Sequence, residues 1–569
     1  MNAQNLWTIT NLSLRLPSPV PAGFDDVAKV FVRQVRARCG DATASGSSYV
    51  VELALDASLG ADAFAIADGP DGAVRVNGGD RRGVLYGVGK LLRSSQFVPG
   101  HFVPGAWRGV SRPAKPVRGI YFATHFYNFY QTAPVEEIEH YVEELALWGM
   151  NTLAVWYDMH HFNGFSDPEA VVFRDRLRCI LRAARRLGLD IHLLVVGNEA
   201  YANSPAALRA APGGGRGGYY DVAVCPAKPA GKDYILGILG EYFDWARDLE
   251  PAAVCIWPYD QGGCGCAECQ PWGSRGFMRC VEAVGALARE KLPGAQIVLS
   301  TWYMDQKEWV DVARQVRARP GLADALLMEH FNAPFGPAPL AEGAALDLPV
   351  VGFPEISMHG MFPWGGFGAN PQPRRFHREW QAQQALLAGG FPYSEGIFED
   401  LNKMLWLRMY WDPAVTVEDV LDEYVRHESG LADPQPVREA ILILERNHHF
   451  RWWPGKLAGA KIMMDWFPSR GVEPQADPGA AEGYAHLRQA DAAMPDWGRQ
   501  SWRWRILYLR ALLDAELKAN GGKPTPVCLE AFRELDRLYF VTDRTETVVR
   551  TPLIARPRSK RVGKKKHRE

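Results

Sequence analysis

The stretch 174-RDRLRCILRAARRLGLDIHLLVVGNE-199 contains one complete helix-to-strand unit. Residues 174–188 have helical periodicity and end in Gly188, the residue type that most often follows the last turn of a helix. The apolar run 190–196 comes directly afterwards and predicts a buried strand, which is followed by Asn198 and Glu199. A helix, a tight turn and a buried strand in this order are typical of α/β folds with a parallel sheet.

The same alternation continues over the central part of the chain and predicts eight strands separated by helices. The predicted strands are residues 117–124, 151–157, 190–196, 252–257, 296–302, 325–331, 349–355 and, with the weakest pattern, 390–396. Eight such units predict a (β/α)8 TIM barrel. An open doubly wound sheet is the alternative fold, and the absence of a G-x-G-x-x-G turn after any predicted strand counts against it.

The flanking segments have different patterns and predict further units. Residues 1–115 contain strand-like runs and the helix-like stretch 83–97, which together predict an α+β accessory domain. The barrel is expected over 116–403, and 404–555 has helical periodicity throughout, which predicts a helical domain that could serve as a homodimer contact. The basic segment 556–569 is expected to be a disordered, solvated tail.

Composition excludes several classes of partner. The chain has 569 residues and a formal net charge of −1, so we expect neither nucleic acid nor a membrane as a partner. We find no secretion signal and no apolar span of membrane length, and the nine scattered cysteines favour reduced thiols, so we expect a cytoplasmic protein. The aromatic content of 19 Trp, 20 Tyr and 25 Phe suits a cleft that binds sugar rings.

Polar and aromatic residues follow nearly every predicted strand, where a TIM barrel places its active site. Carboxylates and amides there can bind hydroxyl groups, and aromatic rings can contact sugar faces, so a carbohydrate is the expected ligand and no cofactor is expected. The predicted substrate-binding residues are His125, Tyr157, Asp158, His161, Glu199, Trp302, Tyr303, His359 and, in the loop after the seventh strand, Trp364. Paired carboxylates are also what glycoside hydrolysis needs, and the candidates are Asp260, Glu329, Glu355 and Glu395.

Two patches of sequence carry a family resemblance. Residues 73-AVRVNGGDRR-82 and 83-GVLYGVGKLLR-93 resemble the accessory domain that precedes the barrel in family 67 α-glucuronidases and family 20 β-hexosaminidases. Residues 258-PYDQGGCGCAEC-269 and 390-GFPYSEGIFEDLNKMLWLRMYWDP-413 resemble a less characterised group of bacterial barrel proteins that includes some N-acetylglucosaminidases. The resemblance implies an exo-acting glycoside hydrolase that releases an acetamido sugar or a uronic acid.

The resemblance also implies roles for the carboxylates. Family 20 enzymes end the fourth strand in Asp-Glu, whereas this chain has Asp260-Gln261, and a glutamine cannot deliver a proton. Asp260 is therefore the expected proton donor, unless the acid comes from another strand. By analogy with other barrel glycosidases Glu355 is the expected second carboxylate, with Glu329 and Glu395 as rivals.

Other functions stay open at this point. Gln261 favours a carbohydrate-binding barrel without catalytic activity. Asp158, His160 and His161 could instead form the centre of a metal-dependent hydrolase or isomerase, although adjacent side chains diverge on an extended backbone. Cys264, Cys266 and Cys269 could hold zinc with Cys280 or Cys255 as the fourth ligand, could form disulfides, or could be reduced thiols that brace the loop.

Overall fold

The computed structural model describes residues 6–41, 48–124, 128–213, 221–258, 262–328, 346–357, 368–447, 479–521 and 525–540. Within these ranges a small N-terminal sheet domain, a parallel barrel and a set of C-terminal helices pack together. Among the helices described, none combines the length and the apolar character needed to cross a bilayer.

The N-terminal domain is a mixed sheet covered by two helices. Its sheet has the order β1-β2-β3-β5-β4-β8, and α2 packs on β5 and β4. The predicted strands at 50–55, 63–68 and 73–78 are present as β3, β4 and β5. The elements are β1 (Leu6–Ile9), β2 (Leu12–Arg15), α1 (Phe24–Cys39), β3 (Tyr49–Leu55), β4 (Phe64–Asp68), β5 (Val74–Gly78), α2 (Arg81–Ser94), β6 (Gln96–Val98), β7 (His101–Val103) and β8 (Gly109–Ser111).

The barrel predicted from the alternation of strands and helices is confirmed. All eight strands are parallel, and the first pairs with both the second and the eighth, which closes the sheet. The weakest prediction, 390–396, corresponds to an eighth strand in two short pieces. The strands are β9 (Val117–Phe122), β10 (Thr152–Trp156), β11 (Asp190–Val196), β12 (Ala253–Trp257), β13 (Gln296–Ser300), β14 (Ala325–Met328), β15 (Val350–Gly352), and β16 (Gly389–Gly390) with β17 (Tyr393–Ser394).

Helices surround the barrel and bury the outer faces of its strands. They are α3 (Phe129–Thr132), α4 (Val135–Leu147), α5 (Pro168–Arg186), α6 (Pro229–Ala246), α7 (Phe277–Lys291), α8 (Gln306–Ala318), α9 (Pro373–Gln383) and α10 (Asp400–Trp411). Helix α10 packs against β9, where the eighth helix of a barrel belongs. A domain boundary between 403 and 404 therefore falls inside a barrel helix, and the helical unit begins after Trp411.

The remaining α-helices form the C-terminal unit, and shorter helical turns occur in the N-terminal domain and the barrel. The α-helices are α11 (Val417–Ser429), α12 (Gln435–Arg446), α13 (Ala480–Ala493), α14 (Asp496–Arg499), α15 (Trp502–Ala519) and α16 (Pro526–Phe540). Single turns of 3-10 helix are Ala57–Leu59, Pro70–Gly72, Met159–His161, Ala206–Leu208 and Arg247–Leu249, and a π-helical turn covers Trp272–Gly276.

The accessory domain is attached at the N-terminal ends of the barrel strands. Arg118, at the start of β9, forms a buried ion pair with Asp62 at 2.7 Å. Arg82 contacts Asp190, the first residue of β11, at 2.9 Å. The Tyr86 hydroxyl donates to the carbonyl of Met150, just before β10, at 3.1 Å. Because these contacts occupy the base, the accessory domain leaves the opposite face of the barrel free for a functional site.

One buried carboxylate connects the barrel to the helical unit. Asp400, at the start of α10, accepts hydrogen bonds from Tyr141 Oη at 2.7 Å and Tyr424 Oη at 2.8 Å. It also accepts one from Arg503 Nε at 2.8 Å, and the same guanidinium contacts Glu144 at 2.8 Å. Four helices, α4, α10, α11 and α15, thus meet at one charge network, in which Asp400 and Arg503 are buried and each charge has an opposite partner.

We predict that Asp400→Ala destabilises the protein by about 3–5 kcal/mol, because it leaves the buried Arg503 charge without its main partner. The measurement is chemical or thermal unfolding of the variant against the unaltered chain. Asp496→Ala is the control, since the Asp496 side chain is 85% exposed and contacts Arg499 only at 3.7 Å. Equal melting temperatures for the two variants would show that the network does not hold the helical unit in place.

Candidate active site at the C-terminal end of the barrel

The C-terminal end of the barrel is closed by a layer of aromatic side chains, which we call the aromatic floor. It consists of Tyr121, Trp156, Trp257, Phe353 and Tyr393, each at or near the end of a strand and facing the barrel interior. Phe353 is the centre of the layer, with ring centroids 5.1 Å from Trp257, 5.4 Å from Tyr121 and 5.9 Å from Tyr393. These buried side chains fill the barrel beneath the loops that follow its strands.

Trp302 and Tyr303 extend the aromatic floor at the end of β13. The half-buried ring of Trp302 lies 5.3 Å from Trp257 and 5.9 Å from Phe353. Within the described part of the chain, Trp302 Nε1 has no hydrogen-bond acceptor. Tyr303 has a left-handed backbone, with φ of 55°, which turns the chain sharply after Trp302. Both residues therefore lie where the sequence predicts them, beside the aromatic floor.

Asp158, His160 and His161 form a buried cluster after β10. The helical turn Met159–His161 rotates the two imidazoles toward one another, so that their ring centroids are 4.0 Å apart. Asp158 Oδ1 contacts His160 Nδ1, and Asp158 Oδ2 lies 2.7 Å from His161 Nε2. The expectation that the adjacent histidines diverge was wrong, because it assumed an extended backbone at this position.

Glu199, after β11, joins this cluster to the floor. Its Oε2 accepts a hydrogen bond from Trp156 Nε1 at 2.9 Å, and its Oε1 lies 3.2 Å from His160 Nδ1. Burial and the neighbouring Asp158 charge raise the pKa of Glu199, although His160 opposes this. Burial alone would lower the pKa of His160, but Asp158 and Glu199 outweigh it and raise that pKa to about 9. Burial would raise the pKa of Asp158, but the two histidines hold it well below its usual range.

Two glutamates follow the neighbouring strands seven and eight. Glu355 is half-buried, pairs in register with Tyr393, and accepts a hydrogen bond from Ser357 N at 3.0 Å. Glu395 is only 1% exposed, and its Oε1 accepts from Tyr393 Oη at 2.8 Å. Among the described residues, Glu395 Oε2 has no hydrogen-bond donor. Burial and the charges of Glu355 and Glu399 raise the pKa of Glu395 well above its usual range.

A third glutamate holds the two strand ends together. Glu399 Oε1 accepts from Ser357 Oγ at 2.8 Å, Ser394 Oγ at 2.9 Å, and the backbone N–H groups of Glu395 at 2.6 Å and Gly396 at 2.8 Å. From the last helix, Tyr539 Oη donates to the carbonyl of Glu395 at 2.8 Å. The position of Glu395 is therefore defined by side chains from the barrel and from the helical unit.

The structure assembles some of the predicted site residues and leaves others apart. Asp158, His161, Glu199, Trp302, Tyr303, Glu355 and Glu395 all follow strand ends at the aromatic floor. Tyr157 does not join them, because its ring points outward between the barrel and the helices, stacked 5.9 Å from Phe162, with its hydroxyl 3.1 Å from Arg174 Nη1. The remaining predicted residues lie outside the described residues: His125, Asp260, Glu329, His359 and Trp364.

Several site residues were not singled out as substrate contacts from the sequence. His160 is not among the predicted substrate-binding residues, yet it lies between Asp158 and Glu199. The floor residues Tyr121, Trp156, Trp257, Phe353 and Tyr393 were counted as parts of strands. The sequence signal that could have identified the floor residues is an aromatic residue at or near the end of five of the apolar runs that predict barrel strands.

Four cysteines lie together beside this site. The Sγ atoms of Cys225, Cys264, Cys266 and Cys269 are all within 4.8 Å of one another. The fourth thiol is Cys225, from the loop after β11, and not Cys255 or Cys280, as the sequence suggested. Cys255 faces the barrel interior, and Cys280 is part of α7. Cys225 carries no local signal, because 38 residues separate it from Cys264 in the sequence.

Comparison with known proteins supports the fold. No family model and no curated protein matches the sequence. A family GH115 4-O-methyl-α-glucuronidase superposes with a TM-score of 0.60 and 12% identity, covering 91% of this chain and 74% of that one. A family 89 glycoside hydrolase from Clostridium perfringens superposes with a TM-score of 0.59 and 13% identity, covering 90% of this chain and 64% of that one. The family GH20 β-N-acetylhexosaminidase from Streptomyces coelicolor superposes with a TM-score of 0.50 and 14% identity, covering 83% of this chain and 95% of that one.

These similarities establish that the chain has the barrel fold found in several glycoside hydrolase families. The predicted resemblance to family 20 enzymes is confirmed at the level of fold. The similar α-glucuronidase structure belongs to family GH115, whereas the sequence resemblance is to family 67.

We predict that His160 titrates near pH 9 and that Asp158→Asn lowers its pKa to 6.5 or below, because the main opposing charge is lost. The measurement is a pH series of imidazole ¹⁵N NMR spectra. His192 is the internal control, since burial inside the barrel lowers its pKa to about 4, a value that Asp158→Asn leaves unchanged. A His160 pKa near 6.5 in the unaltered protein would contradict the assigned network.

The shifted pKa values of His160 and Asp158 also determine how the free energy of unfolding depends on pH. Because the folded pKa of His160 is raised, its stabilising contribution is complete below about pH 6.5 and is lost as the pH rises through about 9. Because the folded pKa of Asp158 is lowered, its contribution is complete above about pH 4 and declines in more acidic solution. Unfolding measured from pH 5 to pH 10 is expected to show a loss of stability at the alkaline end, which Asp158→Asn reduces.

Proposed function

We propose that the protein is a glycoside hydrolase whose active site is the C-terminal end of the barrel. One observation carries the proposal: Glu355 and Glu395 end neighbouring strands beside the aromatic floor in different surroundings. Glu395 is buried with a raised pKa, whereas Glu355 is partly exposed. Carboxyl groups divided into one acid and one carboxylate are the chemical equipment of glycoside hydrolysis.

In the proposed mechanism the ionised Glu355 acts on the anomeric carbon, either directly as a nucleophile or as a base that activates water. Its location on a short strand beside the rigid floor suits this role, because a misplaced carboxylate loses much of its effect. The protonated Glu395 lies beside Glu355 and reduces the charge at this end of the site.

The proton donor to the leaving group has two candidates. Asp260 is the proposed donor, because it follows the fourth strand, which supplies the acid in the families that the sequence resembles. Glu395 is the rival, because its raised pKa keeps a proton available at neutral pH. Glu329, after the sixth strand, is the remaining carboxylate proposed from the sequence.

The proposed substrates are glycosides with a terminal acetamido sugar or uronic acid, cleaved in an exo fashion. The floor and Trp302 offer flat apolar rings for the sugar faces, and Asp158 and Glu199 offer acceptors for hydroxyl groups. The positive charge on His160 suits either a uronate carboxylate or an amide oxygen. The shared fold supports this range, since one similar structure is a 4-O-methyl-α-glucuronidase and another is a β-N-acetylhexosaminidase.

A metal-dependent hydrolase built on Asp158, His160 and His161 is the second candidate, since these three residues offer ligand atoms within 4.8 Å of one another. A barrel that binds sugars without hydrolysing them is the other alternative, for which Gln261 is the supporting residue.

We predict that the unaltered protein hydrolyses at least one aryl glycoside in a panel of α- and β-linked acetamido sugars and uronates. Glu355→Gln is expected to lower kcat at least about 10²-fold on every active substrate. Glu290→Gln, an exposed position on α7, is the control with unchanged kinetics. Binding of a panel sugar without turnover would support the binding protein, and activity that follows added metal would support the metal-dependent enzyme.

The proton donor is identified by leaving-group dependence. Asp260→Asn is expected to lower kcat by about 10²–10⁴-fold for poor leaving groups and much less for activated aryl glycosides, which need little protonation. Glu395→Gln is tested in parallel on the same two substrates. If only Glu395→Gln shows this selectivity, Glu395 is the proton donor and the assignment of Asp260 is wrong.

The role of Glu355 is tested by chemical rescue. Azide should restore turnover to Glu355→Ala and yield a glycosyl azide, because the anion can attack the anomeric carbon from the face that the carboxylate occupied. Rescue that occurs only in the Glu329→Ala or Glu395→Ala variant would make Glu355 a substrate-binding residue.

Trp302 is predicted to bind the sugar face. Trp302→Ala should raise KM with a small change in melting temperature, because the ring is half-buried at the surface of the floor. Trp309→Ala is the matched control. The Trp309 ring lies on the buried face of α8 and is 1% exposed, so its loss should lower the melting temperature strongly. A large destabilisation by Trp302→Ala with unchanged KM would assign Trp302 to the core.

A further inference from the structure

The cluster of four cysteines joins two loops at the rim of the barrel. Cys225 belongs to the loop between β11 and α6, and Cys264, Cys266 and Cys269 belong to the loop between β12 and α7. Cys225, Cys264 and Cys269 are buried and Cys266 is half-buried. The hydrolytic mechanism proposed above uses none of these thiols.

The sulfur positions have the dimensions of a tetrahedral metal site. Cys225 Sγ lies 3.8 Å from Cys266 Sγ and 3.8 Å from Cys269 Sγ. Four sulfurs bound to one Zn²⁺ at about 2.3 Å lie about 3.8 Å apart, the edge of the tetrahedron. A disulfide would instead require a separation of about 2.05 Å. All nine cysteines are free, so the four thiols converge without forming a covalent bond.

The backbone around the cluster is arranged to hold sulfur ligands. Ala211 N donates to Cys264 Sγ at 3.4 Å, a backbone contact that helps to orient this sulfur. The chain turns tightly after Cys266, whose carbonyl accepts from Cys269 N at 3.0 Å and Gln270 N at 3.1 Å. This turn brings the two sulfurs of the C-x-x-C segment to one side. Gln270 Nε2 in turn donates to the carbonyl of Cys264 at 2.7 Å.

We propose that Cys225, Cys264, Cys266 and Cys269 bind one structural Zn²⁺ ion. Four thiolates in tetrahedral array are a typical zinc donor set, and they leave no open position for substrate or water. On binding, each thiol that was protonated releases its proton to solvent, and four Zn–S bonds form without any change in oxidation state.

The site reinforces an existing connection between the same two loops. Asn198, after β11, donates through Nδ2 to the carbonyls of Val224 at 2.9 Å and Gly263 at 3.1 Å, and accepts through Oδ1 from Gly263 N at 2.9 Å. A zinc ion bound by the four cysteines adds a stronger link between the two loops, next to these Asn198 contacts. It thereby links the segment 264–269, after the fourth strand, to Cys225, after the third strand.

The test is the metal content of the full chain, purified under reducing conditions without a chelator. Elemental analysis is expected to find one zinc per chain, and Cys225→Ser and Cys266→Ser are each expected to lower this by at least about tenfold. Cys280→Ser is the matched control, since Cys280 is also buried and lies in the adjacent helix, and it should keep its zinc. Because Cys266 is half-buried and Cys225 is buried, we expect Cys266→Ser to fold without metal more readily than Cys225→Ser.

A second measurement does not depend on variants. Replacement of zinc by Co²⁺ in the unaltered chain should produce intense visible bands and a sulfur-to-cobalt charge-transfer band, which are characteristic of tetrahedral thiolate sites. Both readouts are independent of glycoside turnover, so the zinc site and the proposed hydrolase activity can fail separately.

Several results would overturn the proposal. They are a chain free of metal that takes up no Co²⁺, one equivalent of a metal other than zinc, and zinc retained in both Cys225→Ser and Cys266→Ser. Intact-mass measurement that shows the loss of two hydrogens between members of the cluster would assign a disulfide instead.

Discussion

Closure of the parallel sheet is the constraint on which the rest of the molecule depends. The first strand, Val117–Phe122, pairs with the second strand on one side and with both pieces of the eighth on the other. Once the sheet is closed, every strand is buried on both faces and all carboxyl ends point to the same side. Side chains that are hundreds of residues apart in the sequence, such as Tyr121 and Tyr393, therefore lie 5.5 Å apart. The base of the barrel is used for attachment, and the opposite end carries the proposed active site.

Carboxylates are concentrated at that end, and their surroundings give them different tasks. Asp400 is saturated by two tyrosine hydroxyls and an arginine, so it holds helices together. Glu399 Oε1 accepts from four donors at two strand ends and positions Glu395. Glu395 has few partners and a raised pKa, whereas Asp158 shares charge with two histidines. Burial penalises a charge unless partners compensate for it, so the number of donors around each group decides which are structural and which are available for reaction.

The loops around the site are supported from two directions. Tyr539, in the last described helix, holds the backbone at Glu395, so the helical unit contributes to the active end of the barrel as well as to its outer surface. On the other side, Asn198 and the cysteine cluster connect the loops that follow the third and fourth strands. A barrel with short strands needs such supports, because residues on loops are placed less accurately than residues within the sheet.

The sequence by itself determined the barrel and most of its strands, because buried parallel strands appear as short apolar runs and the helices between them end in recognisable glycines. It also indicated that carboxylates and aromatic residues gather at the strand ends, since that follows from position in the fold alone. Only the tertiary structure decided which way each side chain points. Tyr157 faces outward although it follows a strand, and the turn at Met159–His161 brings together two histidines that an extended chain would separate. Cys225 joins Cys264, Cys266 and Cys269 because two neighbouring loops meet at the rim. Such contacts between distant segments depend on the path of the chain in space, which local periodicity does not record.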